Sequence, residues 1–234
     1  AITLGYSPRW FCFYVVRPFF YAILRLVRYR RKVILENLHN SFPEKSEKEL
    51  RGIAKRFNLN LAEQIINTIS IAGISQKRLK SYLRFPAAEE FAKATADTDI
   101  VLFAAHHGSW EYMTAVGCYD KGHRLISVYH PLSDCALDDM FKRLRHCENM
   151  ELVPRDESIL YFVRHRGRGP KMTFGLIADQ NPFWYHDAHW ITFFHQETIF
   201  AKGGEQIAMK YSLPVWFCYM RRLRRGEYEL YVEQ

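Results

Sequence analysis

No two cysteines in this chain stand close enough to form a C-x-x-C pair. The five (Cys12, Cys118, Cys135, Cys147 and Cys218) are scattered and odd in number. That argues against a disulfide framework and a zinc ribbon, and it suits a reducing compartment. Other absences narrow the field. There is no H-E-x-x-H, no G-x-S-x-G elbow, no internal repeat and no low-complexity tract. No linker rich in Gly, Ser or Pro divides the 234 residues.

What is present is a chain able to bury a core, 48% hydrophobic and 25% charged. Its net charge of +8 collects in 28-RYRRK-32, 164-RHRGR-168 and 221-RRLRR-225. Such a balance points to an anionic partner: a membrane surface, a nucleic acid, or an acidic protein or substrate. The chain starts at Ala1 and stops inside the strand-like 228-YELYVEQ-234, so residues missing from one or both ends are expected.

Residues 10-WFCFYVVRPFFYAILRLV-27 are strongly apolar but interrupted by Arg17, Pro18 and Arg25. A spanning helix wants about twenty apolar residues, and a central arginine costs about 2.5 kcal/mol or more. The stretch therefore reads as an interfacial or re-entrant helix, its arginines reaching toward headgroups, ahead of a spanning one. A buried amphipathic helix of a soluble domain is the alternative. The basic run that follows marks the cytoplasmic side by the positive-inside rule.

Residues 30–41 predict a short helix ended by Pro43, and 46-SEKE-49 is a capping box opening a long helix over 47–72. Beyond residue 82 the pattern changes. Short apolar runs (99–105, 124–129, 150–154, 173–178, 214–220) alternate with segments that suit helices (109–119, 134–147, 156–166, 203–211). This predicts an α/β fold, with a largely parallel central sheet flanked by helices. The expected organisation is a helical, membrane-associating region over 1–75 and one catalytic unit over 76–234.

Ligands gather at the carboxyl ends of strands in such sheets. Three polar segments sit there: 106-HHGSWE-111, 129-YHPLSD-134 and 179-DQNPFW-184. A histidine and a carboxylate together suit general-base work, the carboxylate fixing the imidazole tautomer. In one continuous helix, five residues turn the side chain by about 500°, so His106 meets Glu111 only across a turn. Gly108 and Ser109 supply one, with Ser109 as a plausible N-cap. His107, four residues from Glu111, competes, and spacing alone leaves the two histidines equivalent.

Three rival chemistries find less in the sequence. A metal hydrolase would draw on His106, His107, His186 and His189, with the spacing His186-x-x-His189. A nucleic-acid-binding module would use the basic clusters, but no recognised module pattern supports it. A serine hydrolase would need Ser109, which lies outside any nucleophile elbow.

Taken together, the motifs resemble those of the bacterial late-stage lipid A acyltransferases, within the lysophospholipid acyltransferase group. The family carries His-x-x-x-x-Asp/Glu after an apolar strand, matched here by His106 and Glu111. Further matches are 29-YRRKVILENLHNSFPEKS-46, 127-SVYHPL-132, the spacing of Asp138 and Arg145, 175-GLIADQNP-182 and 193-FFHQETIFAKGGEQIAMKYSLPVWF-217. One departure is His130, which stands where the family usually has arginine before proline.

The resemblance implies a fatty acyl transfer from acyl carrier protein to a hydroxyl of a lipid A precursor. It places this at the cytoplasmic face of the bacterial inner membrane. His106 is then the base and Glu111 its partner. Arg145, Asp179 and His130 bind substrate or organise the site, with Thr198, Gly204 and Glu205 ranked lower. No metal, organic cofactor or nucleic acid is implied.

Overall fold

The computed structural model describes residues 7–71, 74–119, 122–145, 147, 149–180, 182 and 188–234. Three helices lead the chain: α1 (Arg9–Leu26), α2 (Arg31–Ser41) and α3 (Glu47–Ile71). The second turn of α1, Cys12–Val16, is wound as a π-helix. Left-handed backbone at Arg28 and Arg30 turns the chain into α2, and α1 and α2 meet at 90°. No single helix among the described residues is long and apolar enough to cross a membrane. The bent pair of α1 and α2 taken together has the length and composition for it.

The capping box forms as expected: the Glu49 carboxylate accepts from the Ser46 backbone N–H at 2.9 Å, and the Glu49 N–H donates to Ser46 Oγ at 3.4 Å. Arg17 does not reach outward. It lies 3.7 Å from the carboxylate of Glu63 on α3, a residue only 1% exposed, and donates to the Leu59 carbonyl. A buried carboxylate needs a cation and donors, and Arg17 shares that duty with Arg222 at 2.7 Å and the Gly226 N–H at 3.3 Å.

Next come α4 (Gln76–Tyr82), β1 (Leu83–Arg84), α5 (Ala88–Thr95), β2 (Ile100–Ala104) and a 3-10 turn (Trp110–Ala115) leading into α6 (Val116–Tyr119). Then follow β3 (His123–Tyr129), α7 (Cys135–Leu144), β4 (Met150–Pro154), α8 (Arg155–His165) and β5 (Lys171–Ile177). The chain closes with β6 (Ala188–Phe193), β7 (Gln196–Ala201), α9 (Gly203–Tyr211), β8 (Val215–Arg224) and β9 (Glu227–Glu233).

Seven strands form one sheet in the order β1-β9-β8-β2-β5-β3-β4, and β6 pairs with β7 as a separate antiparallel hairpin. Only β8 and β9 pair antiparallel in the large sheet. The fold is thus the expected α/β sheet flanked by helices. Ile100, Val101 and Leu102 are all buried because β2 is central and covered on both faces. Ile100 and Leu102 join one core with Tyr82, Tyr112 and Val116. Val101 joins the other with Phe162, Phe174 and Ile207. Strand alternation assigns each residue its side.

The β8–β9 turn closes against α1. Gly226 has φ of 67°, and a Cβ there would come within 2.4 Å of the Phe13 ring. Only glycine fits both demands.

Candidate active site

The sheet register builds the site. Ala104 pairs with Ile177, and the Ala178 N–H donates to the Ala104 carbonyl at 3.1 Å. His106 and Asp179 each lie two residues past those strand ends, side by side. The Asp179 carboxylate accepts twice from His106, from the backbone N–H at 2.9 Å and from ring Nδ1 at 2.7 Å. A carboxylate only accepts, so Nδ1 carries the proton and Nε2 keeps its lone pair. Gln180 Nε2 stands 3.4 Å from that lone pair, a long contact that a better donor can replace. The imidazole is 29% exposed and meets the Trp110 ring edge-on at 5.2 Å.

The turn carrying His106 is braced from α3. Gly108 has φ of 64°, and a Cβ there would press on the Met220 side chain at 3.1 Å. The Gln64 amide donates to the Gly108 carbonyl, and the Ser109 hydroxyl donates to Gln64 Oε1 at 3.3 Å. Ser109 therefore does not cap a helix with its side chain. Its carbonyl accepts from the Tyr112 N–H at 2.8 Å, and a 3-10 turn replaces most of the helix expected over 109–119. Gln64 escaped the sequence reading, because a glutamine on an amphipathic helix gives no local signal.

Glu111 opens that 3-10 turn and is 8% exposed. Arg145, at the end of α7, grips it with both arms: Nε to Oε2 at 2.8 Å and Nη2 to Oε1 at 2.7 Å. This pairing pushes the Arg145 pKa up despite partial burial. The structure thus brings His106 and Glu111 to one cavity but gives each its own partner. The expected orientation of His106 by Glu111 is not the contact made. Adjacent parallel strands deliver Asp179 directly to Nδ1, while Glu111 turns to the guanidinium.

Asp138 accepts from the Leu132 N–H at 2.9 Å and from Lys142 at 2.7 Å, which fastens the loop after β3. Those two donors, Lys142 first, hold its carboxyl below the usual aspartate range. His130 is exposed on that loop and lines the cavity.

The cavity holds about 860 Å³ and is lined by His106, Glu111 and Arg145 together with apolar residues such as Leu102, Val116, Phe174 and Ile207. A large apolar recess with a few convergent polar groups is the form of a small-molecule site. His107 is absent from this lining. It faces a separate polar recess of about 200 Å³ with Glu63, Gln64 and Arg222. Among the described residues no three of His, Cys, Asp and Glu gather as metal ligands. His189 pairs with Glu205 at 2.6 Å, and His186 lies outside the described residues.

Residues 6–233 match the bacterial lipid A biosynthesis acyltransferases. The chain belongs to this family. The enzyme is therefore an acyltransferase of lipid A biosynthesis, and its substrates are an acyl donor and a lipid acceptor. No curated protein matches the chain.

Proposed function

We propose that the enzyme transfers a fatty acyl chain from an acyl carrier protein thioester to a hydroxyl of a lipid A precursor, with His106 as general base. The observation that carries this reading is the Asp179–His106 pair, whose Nε2, met only by the long Gln180 contact, belongs to a ring on the lining of the apolar cavity. The acceptor O–H gives its proton to Nε2 while its oxygen attacks the thioester carbonyl carbon. A tetrahedral oxyanion forms. The C–S bond then breaks, and the thiolate takes the proton from the imidazolium. Asp179 keeps the Nδ1 proton in place and stabilises the imidazolium charge. The Gln180 amide, already near Nε2, is a candidate donor to the oxyanion. Glu111 and Arg145 form a fixed ion pair on the cavity wall that positions the acceptor.

Charge favours these partners. Acyl carrier proteins are acidic, lipid A precursors are anionic, and the enzyme carries +8. We assign residues 1–75 to membrane association and 76–234 to catalysis, at the cytoplasmic face of the inner membrane. The exposed apolar residues of α1, Leu26 at 84% among them, and the arginines after it support that placement.

The test is an acyl-transfer assay of purified enzyme in detergent, with carrier-protein thioesters and a panel of acceptors: lipid A precursors, lysophospholipids, aminolipids and other glycolipids. Transfer to a lipid A precursor hydroxyl is expected. Transfer only to another acceptor, or only from a different donor, would contradict the assignment.

A further inference from the structure

The β6–β7 hairpin carries an apolar tip that folding alone disfavours. Its two turn residues, Phe194 and His195, take positive φ of 48° and 61°. Two-residue turns of this kind suit Asn-Gly, because a bulky side chain at positive φ crowds its own backbone. Here an aromatic residue occupies the strained position and remains 51% exposed. Trp190, Ile191 and Phe193 beside it are exposed as well. The tip is nonetheless held in place: Phe194 meets Phe42 at 5.7 Å, and Asn40 donates to Gln196 at 3.2 Å. These contacts tie it to the end of α2, whose other end is the arginine-rich bend after α1. At its base the hairpin reaches Ala201 and Lys202 on the cavity lining.

We propose that the hairpin tip is a second bilayer contact, separate from α1, which seats the mouth of the catalytic cavity on an anionic lipid surface. This rests on the membrane reading above but is tested apart from it. Charge selects the occupant. Arg25, Arg28, Arg30, Arg31 and Lys32 are all exposed along α1 and the bend, and each cation near an anionic leaflet adds attraction. A second copy of this basic chain would set like charges together. An acidic carrier protein would satisfy the cations and leave the apolar tip unmatched. Aromatic side chains, by contrast, sit well at headgroup depth. The consequence is a short path for a lipid acceptor, from the bilayer along the hairpin to His106.

The experiment places a fluorophore on His195→Cys in a Cys135→Ser background, since the other four cysteines are buried. The full chain is mixed with phosphatidylethanolamine–phosphatidylglycerol vesicles. A lipid-borne quencher is expected to dim the label several-fold, and vesicles to shield it from iodide. Adding Phe193→Ser and Phe194→Asn should abolish both effects. Asparagine relieves the turn but gives up the Phe42 contact, so the melting temperature of this doubly substituted chain should stay near the parent's, which separates lost lipid contact from lost folding. A label equally open to iodide with and without vesicles overturns the proposal. So does shielding supplied by acyl carrier protein, or by higher enzyme concentration, in place of lipid. None of these readouts needs turnover, so a failed acyl-transfer assay leaves them standing.

Discussion

At His106 one carboxylate serves two ends. Asp179 binds the backbone N–H and the ring N–H of the same residue, fixing the imidazole's position and its tautomer together. Asp179→Asn keeps the shape but offers a donor where the ring needs an acceptor. Turnover should fall by about 10²–10⁴-fold with the melting temperature little changed; steady-state kinetics showing less than a severalfold loss would remove Asp179 from the mechanism. Glu111→Gln should behave differently, loosening a half-buried Arg145 and costing stability, on the order of 3 kcal/mol, as well as activity. Asp138 gives a pH signature. Its folded pKa is depressed, so its bonds add stability above the ordinary aspartate range and lose it as pH falls through the depressed value. Asp138→Asn should therefore be less stable than the parent at neutral pH, with the gap closing below about pH 4. Unfolding curves that stay equally separated down to acid would refute this. The sequence offered His106, Glu111 and Asp179 because they follow strand ends, and Asp138 and Arg145 through the family resemblance. It did not offer their pairing, since local pattern carries no record of which strand lies beside which.

Among the elements, α3 connects most of the molecule. Its Glu63 ties α1 to the β8–β9 hairpin, and its Gln64 braces the turn under His106. Glu63→Ala leaves Arg17 without its carboxylate and should destabilise by about 3–5 kcal/mol, read as a lower denaturant midpoint. A midpoint within error of the parent would mean that the network adds nothing. The capping box and helical spacing made α3 legible almost to the residue. The apparent interruption of α1 by Arg17 was legible too, but its direction was not: only the fold reveals a buried partner 46 positions later. The helices α4 and α5 lay in a stretch the pattern left unassigned. The 3-10 turn after Ser109 looks like α-helix in the sequence because the two share their first-turn chemistry. The exposed β6 strand lacks the alternation that marks a half-buried strand.

For the molecule as a whole, topology makes the site. Strand β5 inserts between β2 and β3, so segments distant in sequence end at one edge above one cavity. The parallel character of the sheet and the polar strand ends were readable from alternating patterns, and the strand order was not. The proposed mechanism rests on His106, rather than His107, as the base for acyl transfer. It is tested most directly by turnover of purified enzyme with an acyl carrier protein thioester and a lipid A precursor, comparing His106→Ala with His107→Ala. His106→Ala is expected to lose at least about 10²-fold, while His107→Ala stays within a few-fold of the parent. Retained transfer in His106→Ala, or a loss confined to His107→Ala, would contradict it.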